Sequence, residues 1–358
     1  MNEEKVQGTK NPEKTINYKL KWSFCPICGQ KIPENQKVKY CVKCGVDLYY
    51  IQEHMRVPSP QNLKPLRPQL LQKVSDEELL DLKDRKLWSS AISIIIPFGA
   101  FIFMNIIAFV LIFIIVLLNI NSGNLFDLIT NPYVTIISSL SELVFIIIPV
   151  LYVGKYLKNP SIDNRFAILG FTTRGYNKIG IIKEILLGFG FAIAGIFLVA
   201  FTSIFIEILL ELIFGTEIIY EFGTFSGEID AIINNADTLS LVLLLIIMIL
   251  VIGTSEEVLF RGFMQKGLVR TIGIKWGIIT TAIIFSLIHL IGLFILFFDS
   301  PFAFLISFLL SFVPYFAISL LLGILFHWRK ENLIAVMITH GVYDAITILL
   351  AFMVFNVF

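Results

Sequence analysis

The chain of 358 residues is 56% hydrophobic and only 15% charged, with 33 phenylalanines, a formal net charge of +1 and a mean hydropathy of +0.82. A soluble globular chain carries roughly a quarter charged residues, so this composition excludes a soluble enzyme, a disordered chain and a nucleic-acid binder working through bulk positive charge. Residues 1–88 hold 27 charged side chains and residues 89–358 hold 28. The expectation is a polar, cytosolic-type head on an all-α, polytopic membrane body.

After a polar tail over residues 1–23, the head carries all four cysteines, as Cys25-Pro-Ile-Cys28-Gly29 and Cys41-Val-Lys-Cys44-Gly45. Each C-x-x-C-G turn aims two sulfurs at one point, and two such turns separated by twelve residues suit a tetrahedral Zn²⁺ site. Two disulfides are the alternative, but the first apolar run begins only near residue 89, so no secretory leader is expected. The segment resembles a small zinc ribbon over about residues 24–50. Four closed thiolate ligands make that zinc structural and leave no open position for catalysis. The ribbon is expected to serve as a binding module for a partner protein, and its lysines could also meet acidic lipid headgroups.

Pro58, Pro60, Pro65 and Pro68 mark a stiff linker over residues 51–74. Ser75-Asp-Glu-Glu78 then reads as a capping box opening an amphipathic helix to Trp88, expected to lie at the membrane surface. Seven apolar stretches follow, at about 91–118, 133–157, 180–206, 239–265, 276–298, 302–326 and 332–356. Each is long enough to cross a hydrocarbon layer ~30 Å thick.

The basic residues between these stretches fall on one side. Lys155, Lys158, Arg165, Arg174, Lys178 and Lys183 surround the second loop, Lys266, Arg270 and Lys275 the fourth, and Arg329 and Lys330 the sixth. The first, third and fifth loops have none, which predicts a cell-membrane protein with its N-terminus cytosolic and its C-terminus outside. Labelling of single cysteines placed in the 119–131 and 266–275 loops distinguishes the two orientations, and external reactivity of the latter would overturn this one.

A charge at mid-span costs on the order of 3 kcal/mol on insertion scales, so each one there calls for an explanation. The fourth stretch carries Glu256, Glu257 and Arg261. Glu257 and Arg261, four apart, can pair; Glu256, about 100° around the helix, stays free for another task. His289 lies on the fifth stretch, and His340 with Asp344 on the seventh. At ~1.5 Å per residue these groups reach nearly one depth, which suggests a polar site sunk below the cytosolic face. Glu142 on the second stretch reads as an outer helix-to-helix hydrogen-bonding group.

An acid, two imidazoles and a second carboxylate suit water activation and amide hydrolysis. In that order, Glu256-Glu257-x-x-x-Arg261, Phe285-x-x-x-His289 and His340-x-x-x-Asp344 resemble the three motifs of the CPBP intramembrane proteases. That family includes type-II CAAX prenyl endopeptidases and bacterial proteins linked to bacteriocin processing and self-immunity. The resemblance covers about residues 89–358. It implies an endopeptidase acting on a lipidated or membrane-associated peptide at the cytosolic face, with Glu256 and His289 activating water. Glu257 and Arg261 would hold the helix, and His340 with Asp344 would serve the oxyanion. The family carries Asn or Asp at the last position, and an ionised Asp344 would repel an oxyanion, leaving it to orient His340 or to act when protonated. A catalytic metal is permitted by the ligand set but not favoured. Two other readings stay open: a non-catalytic self-immunity or scaffold protein recruiting partners through the ribbon, and a proton-coupled transporter. No nucleic-acid partner is expected.

Overall fold

The computed structural model describes residues 22–32, 40–41, 46–54, 87–118, 127–128, 130–217 and 227–356. The chain divides into two compact units, Met1–Gln72 and Lys73–Phe358. Both are helical, and the described residues contain no strand beyond two isolated antiparallel bridges, Phe24 with Lys31 and Tyr40 with Asp47.

In the small unit the first cysteine turn is closed by Cys25 N–H donating to Gln30 O at 2.8 Å and Gly29 N–H to Cys25 O at 2.9 Å. Gly29 takes φ 70°, a left-handed conformation that its lack of a Cβ permits. Ile32, Val46, Leu48 and Ile51 pack around Cys25 and Cys41. Asp47 accepts from the amides of Tyr49 and Tyr50 at 3.0 Å and so caps a helix over Leu48–His54, which carries past residue 50 into the stretch read as linker. Cys44, Gly45 and residues 75–86 of the expected juxtamembrane helix lie outside the described residues.

In the large unit six helices are long and apolar enough to cross a membrane: Ser90–Leu118, Pro132–Tyr156, Lys178–Phe214, Thr238–Ile272, Pro301–Trp328 and Ile334–Val354. A seventh span follows if Ile274–His289 and Ile291–Asp299, bent by 51°, count as one. These are called the first to seventh spans in chain order, the bent pair being the fifth. Their boundaries follow local chemistry. Asn131, Asn177, Asp237 and Ser300 cap helix starts through side-chain oxygens, with Pro132 and Pro301 each next in the chain. Gly215 and Gly273, at φ 95° and 84°, stop the third and fourth.

Trp88 departs from the expected surface anchor. Leu87–Ser89 is non-helical and Trp88 is 2% exposed. Its indole stacks on Phe263 with centroids 4.8 Å apart and donates to Phe263 O at 3.1 Å, while the Arg270 guanidinium lies over it at 4.2 Å. The slot buries the large apolar ring and gives its one donor a partner.

Candidate active site

The site is built on the fourth span, whose helix widens to π-helical turns over Met248–Ile252 and Val258–Gln265 on either side of an α-helical turn, Gly253–Glu257. Such widened turns recur at functional sites because they redirect side chains within a continuous helix. Here they accompany a close crossing. A Cβ on Gly253 would sit 2.5 Å from Gly341 N, and one on Gly341 2.6 Å from Ile249 Cα. Two glycines thus let the fourth and seventh spans meet backbone to backbone, which sets His340 against the two glutamates.

Glu257 and Arg261 are both fully buried and paired at 2.9 Å. Arg261 also donates to Ser319 Oγ at 2.9 Å and Ser319 O at 3.2 Å, and its guanidinium lies 4.6 Å from the Phe285 ring centre. Glu257 Oε1 accepts from His340 Nδ1 at 2.7 Å. His340 Nε2 faces Asp344 Oδ2 at 3.4 Å and Glu256 Oε2 at 3.6 Å. On the other side of Glu256, Oε1 lies 3.5 Å from His289 Nε2. His289 Nδ1 lies 2.9 Å from Phe285 O; a carbonyl can only accept, so Nδ1 carries the proton and, in the neutral ring, Nε2 presents a lone pair toward Glu256. Phe285 packs on His289, His340 and Arg261 together, which accounts for an aromatic residue one turn before the histidine.

All six residues singled out in the sequence therefore converge, with Glu256 between two imidazoles. Residues 238–346 match the family described as Type II CAAX prenyl endopeptidase Rce1-like. No curated protein and no solved structure matches the chain. The Rce1-like segment begins next to the Asp237 cap and holds every residue of the constellation; the first three spans and the head lie outside it.

Around Glu256 opens a cavity of about 590 Å³. Glu256, His289, His340 and Asp344 line it, as do Glu142, read above as a helix-to-helix hydrogen-bonding group, and Tyr315 and Tyr343, which sequence reasoning missed. Glu142 sits on a 3₁₀ turn, Leu140–Leu143, that interrupts the second span, and it accepts from Ser255 Oγ at 3.4 Å. Tyr315 lies beside His289 with ring centroids 5.1 Å apart. The fifth span ends its first helix at His289, where Leu290 leaves helical geometry at φ −100°, so the imidazole sits at a break rather than in mid-helix.

The direction of the cavity differs from the expected opening toward the basic loops. Its far lining comprises Thr135, Ile232, Ile233 and Thr347, at the end where the first and third loops lie. Toward the second, fourth and sixth loops, residues 258–265 are fully buried. There Lys266 Nζ donates to Ile168 O at 2.9 Å and pairs with Glu331 at 3.4 Å, and Leu333 N–H donates to Gly170 O at 3.0 Å. That side is a packed floor.

Metal-binding capacity separates the two units. Among the described residues, Cys25, Cys28 and Cys41 are the only three His, Cys, Asp or Glu side chains whose ligand atoms all lie within 4.8 Å of one another. The donors around Glu256 form a chain of contacts instead of a cage, a poorer fit to a coordinated ion.

Proposed function

We propose that the protein is an intramembrane endopeptidase that hydrolyses a peptide bond in the cavity, with Glu256 as general base. The observation that carries this reading is the Glu256 carboxylate between His289 Nε2 at 3.5 Å and His340 Nε2 at 3.6 Å, at the buried end of a cavity of about 590 Å³. Water held by Glu256 Oε1 and the His289 lone pair loses a proton to Glu256 as its oxygen attacks the carbonyl carbon. His340, held as an imidazolium by Glu257 at Nδ1 and Asp344 at Nε2, donates from Nε2 to the developing oxyanion. Collapse breaks the C–N bond, and Glu256 returns its proton to the leaving amine. Glu257, Arg261, Ser319 and Phe285 hold the assembly so that its geometry is set before substrate arrives.

The test is cleavage of apolar peptides by the purified protein in lipid nanodiscs, run in H₂¹⁸O and read by mass spectrometry. The wild type is expected to yield a new carboxylate carrying one ¹⁸O, and Glu256→Gln to lower the rate about 10²–10⁴-fold. Equal product from wild type, Glu256→Gln and His289→Ala would sink the reading.

In the small unit, we infer that Cys25, Cys28, Cys41 and Cys44 hold one structural zinc; the mutual approach of the first three supports this. Metal analysis of the full chain is expected to find one zinc per protein, lost in Cys25→Ser/Cys28→Ser. Zinc retained at full stoichiometry in that variant would contradict the ribbon assignment.

A further inference from the structure

The cavity wall is rich in acids. Three carboxylates, Glu142, Glu256 and Asp344, line it against two imidazoles, His289 and His340, and no lysine or arginine does. Arg261, the nearest guanidinium in the constellation, is withdrawn behind the wall, fully buried and committed to Glu257 and Ser319. Most of the remaining wall is aliphatic or aromatic, including Val199, Leu244, Met248, Ile252 and Ile348.

The acids are also short of donors. Glu256 lines the cavity with a side chain only 9% exposed, and its Oε2, 3.6 Å from His340 Nε2, accepts no hydrogen bond among the described residues. Glu142, inside the second span, accepts from Ser255 Oγ at 3.4 Å, a long bond. Asp344, 23% exposed, meets His340 at 3.4 Å. A carboxylate in apolar surroundings is costly to keep without a cation or donors, so a wall of this kind is complementary to a ligand that brings positive charge.

We propose that Glu142 and Asp344 form a subsite for a basic side chain, so that the substrate is an apolar peptide with one lysine or arginine close to the scissile bond. This rests on the peptidase reading and adds to it a substrate class. Glu256 performs the chemistry, and Glu142, reaching the same cavity from the second span, supplies selection. At that register Glu142 and Asp344 would repel an acidic residue or a free C-terminal carboxylate. A free N-terminal amine would offer the same chemistry, but an internal cut needs chain on both sides of the scissile bond, which points to a side chain.

The test uses the full-length protein in nanodiscs and terminally blocked apolar decapeptides in which a single lysine is walked along the chain, each compared with its norleucine counterpart. In the wild type, lysine at one register is expected to raise kcat/KM about tenfold over norleucine, the scale of a partly buried charge pair. Glu142→Gln, which keeps the shape and the bond from Ser255, is expected to bring that ratio close to one. Glu142→Lys is expected to shift the preference toward glutamate at the same register.

Binding of the same peptides to Glu256→Gln separates this proposal from the peptidase reading. A lysine preference in binding, sensitive to Glu142→Gln, supports the subsite even where the wild type cleaves nothing. Cleavage with equal rates for lysine and norleucine overturns the subsite and leaves the peptidase standing. A lysine ratio unchanged by Glu142→Gln, or a gain seen only with peptides whose N-terminus is free, overturns it as well.

Discussion

The two sides of Glu256 along the fourth span are built on opposite principles. Toward the basic loops, Phe260, Phe263, Met264 and Gln265 are at most 1% exposed and Trp88 is stacked on Phe263. Toward the first and third loops, the same helix, through Leu244, Met248 and Ile252, lines a cavity of about 590 Å³. One side is a rigid base that fixes where the carboxylates point, and the other is the volume in which a ligand can lie. A preorganised site needs both, since positioning requires dense packing and binding requires its absence.

The largest break in this contrast is expected at Arg261. Arg261→Met leaves Glu257 buried beside His340 without its cation, at a cost of about 3–5 kcal/mol. Unfolding of the protein in nanodiscs is expected to show that loss together with loss of cleavage. Glu257→Gln/Arg261→Met removes both charges and is expected to regain most of the stability without regaining cleavage, because His340 Nδ1 then lacks its carboxylate. Equal stability of the single and double variants would mean that the floor does not depend on this pair.

Much of the architecture was legible in the chain. The spans are runs of apolar residues between capping residues and glycines, and the few buried charges stood out because the body holds so few. Glu256, Glu257, Arg261, His289, His340 and Asp344 could be brought to one level by helix rise alone. Four features could not be read this way, because they depend on local backbone geometry and on how helices face one another. Hydropathy is alike on both sides of Glu256, so the direction of the cavity was hidden and a site open toward the basic loops was expected. Apolar residues run on past His289, so the 51° bend after it left no signal. Glu142 lies far from the motifs in sequence, and its approach to Ser255 arises from a 3₁₀ turn inside the second span. Trp88, next to a charged segment, has the sequence context of an interfacial anchor; only the slot beside Phe263 and Arg270 reveals it as core.

The smallest expected effect lies at the cavity end of the fourth span, where Asp237 caps the helix. Its carboxylate accepts from Ser240 N–H at 2.7 Å and from the Tyr133 hydroxyl at 3.0 Å, tying the start of the fourth span to the second. The Ser240 amide bond, foremost, holds the Asp237 carboxyl below its ordinary value. A carboxyl whose folded pKa lies below its unfolded one stabilises the fold fully above the unfolded pKa, about 3.9 for aspartate, and loses that contribution as pH falls through the folded value. The melting midpoint of Asp237→Ala in nanodiscs is therefore expected to fall slightly below wild type at pH 7, with the gap closing as the pH drops below about 4. Asp237→Asn, which keeps an acceptor for the amide but carries no charge, is expected to lie between the two at pH 7 and to show no such closure relative to Ala. A gap between wild type and Asp237→Ala that widens on acidification would show that the carboxylate is not what secures this end.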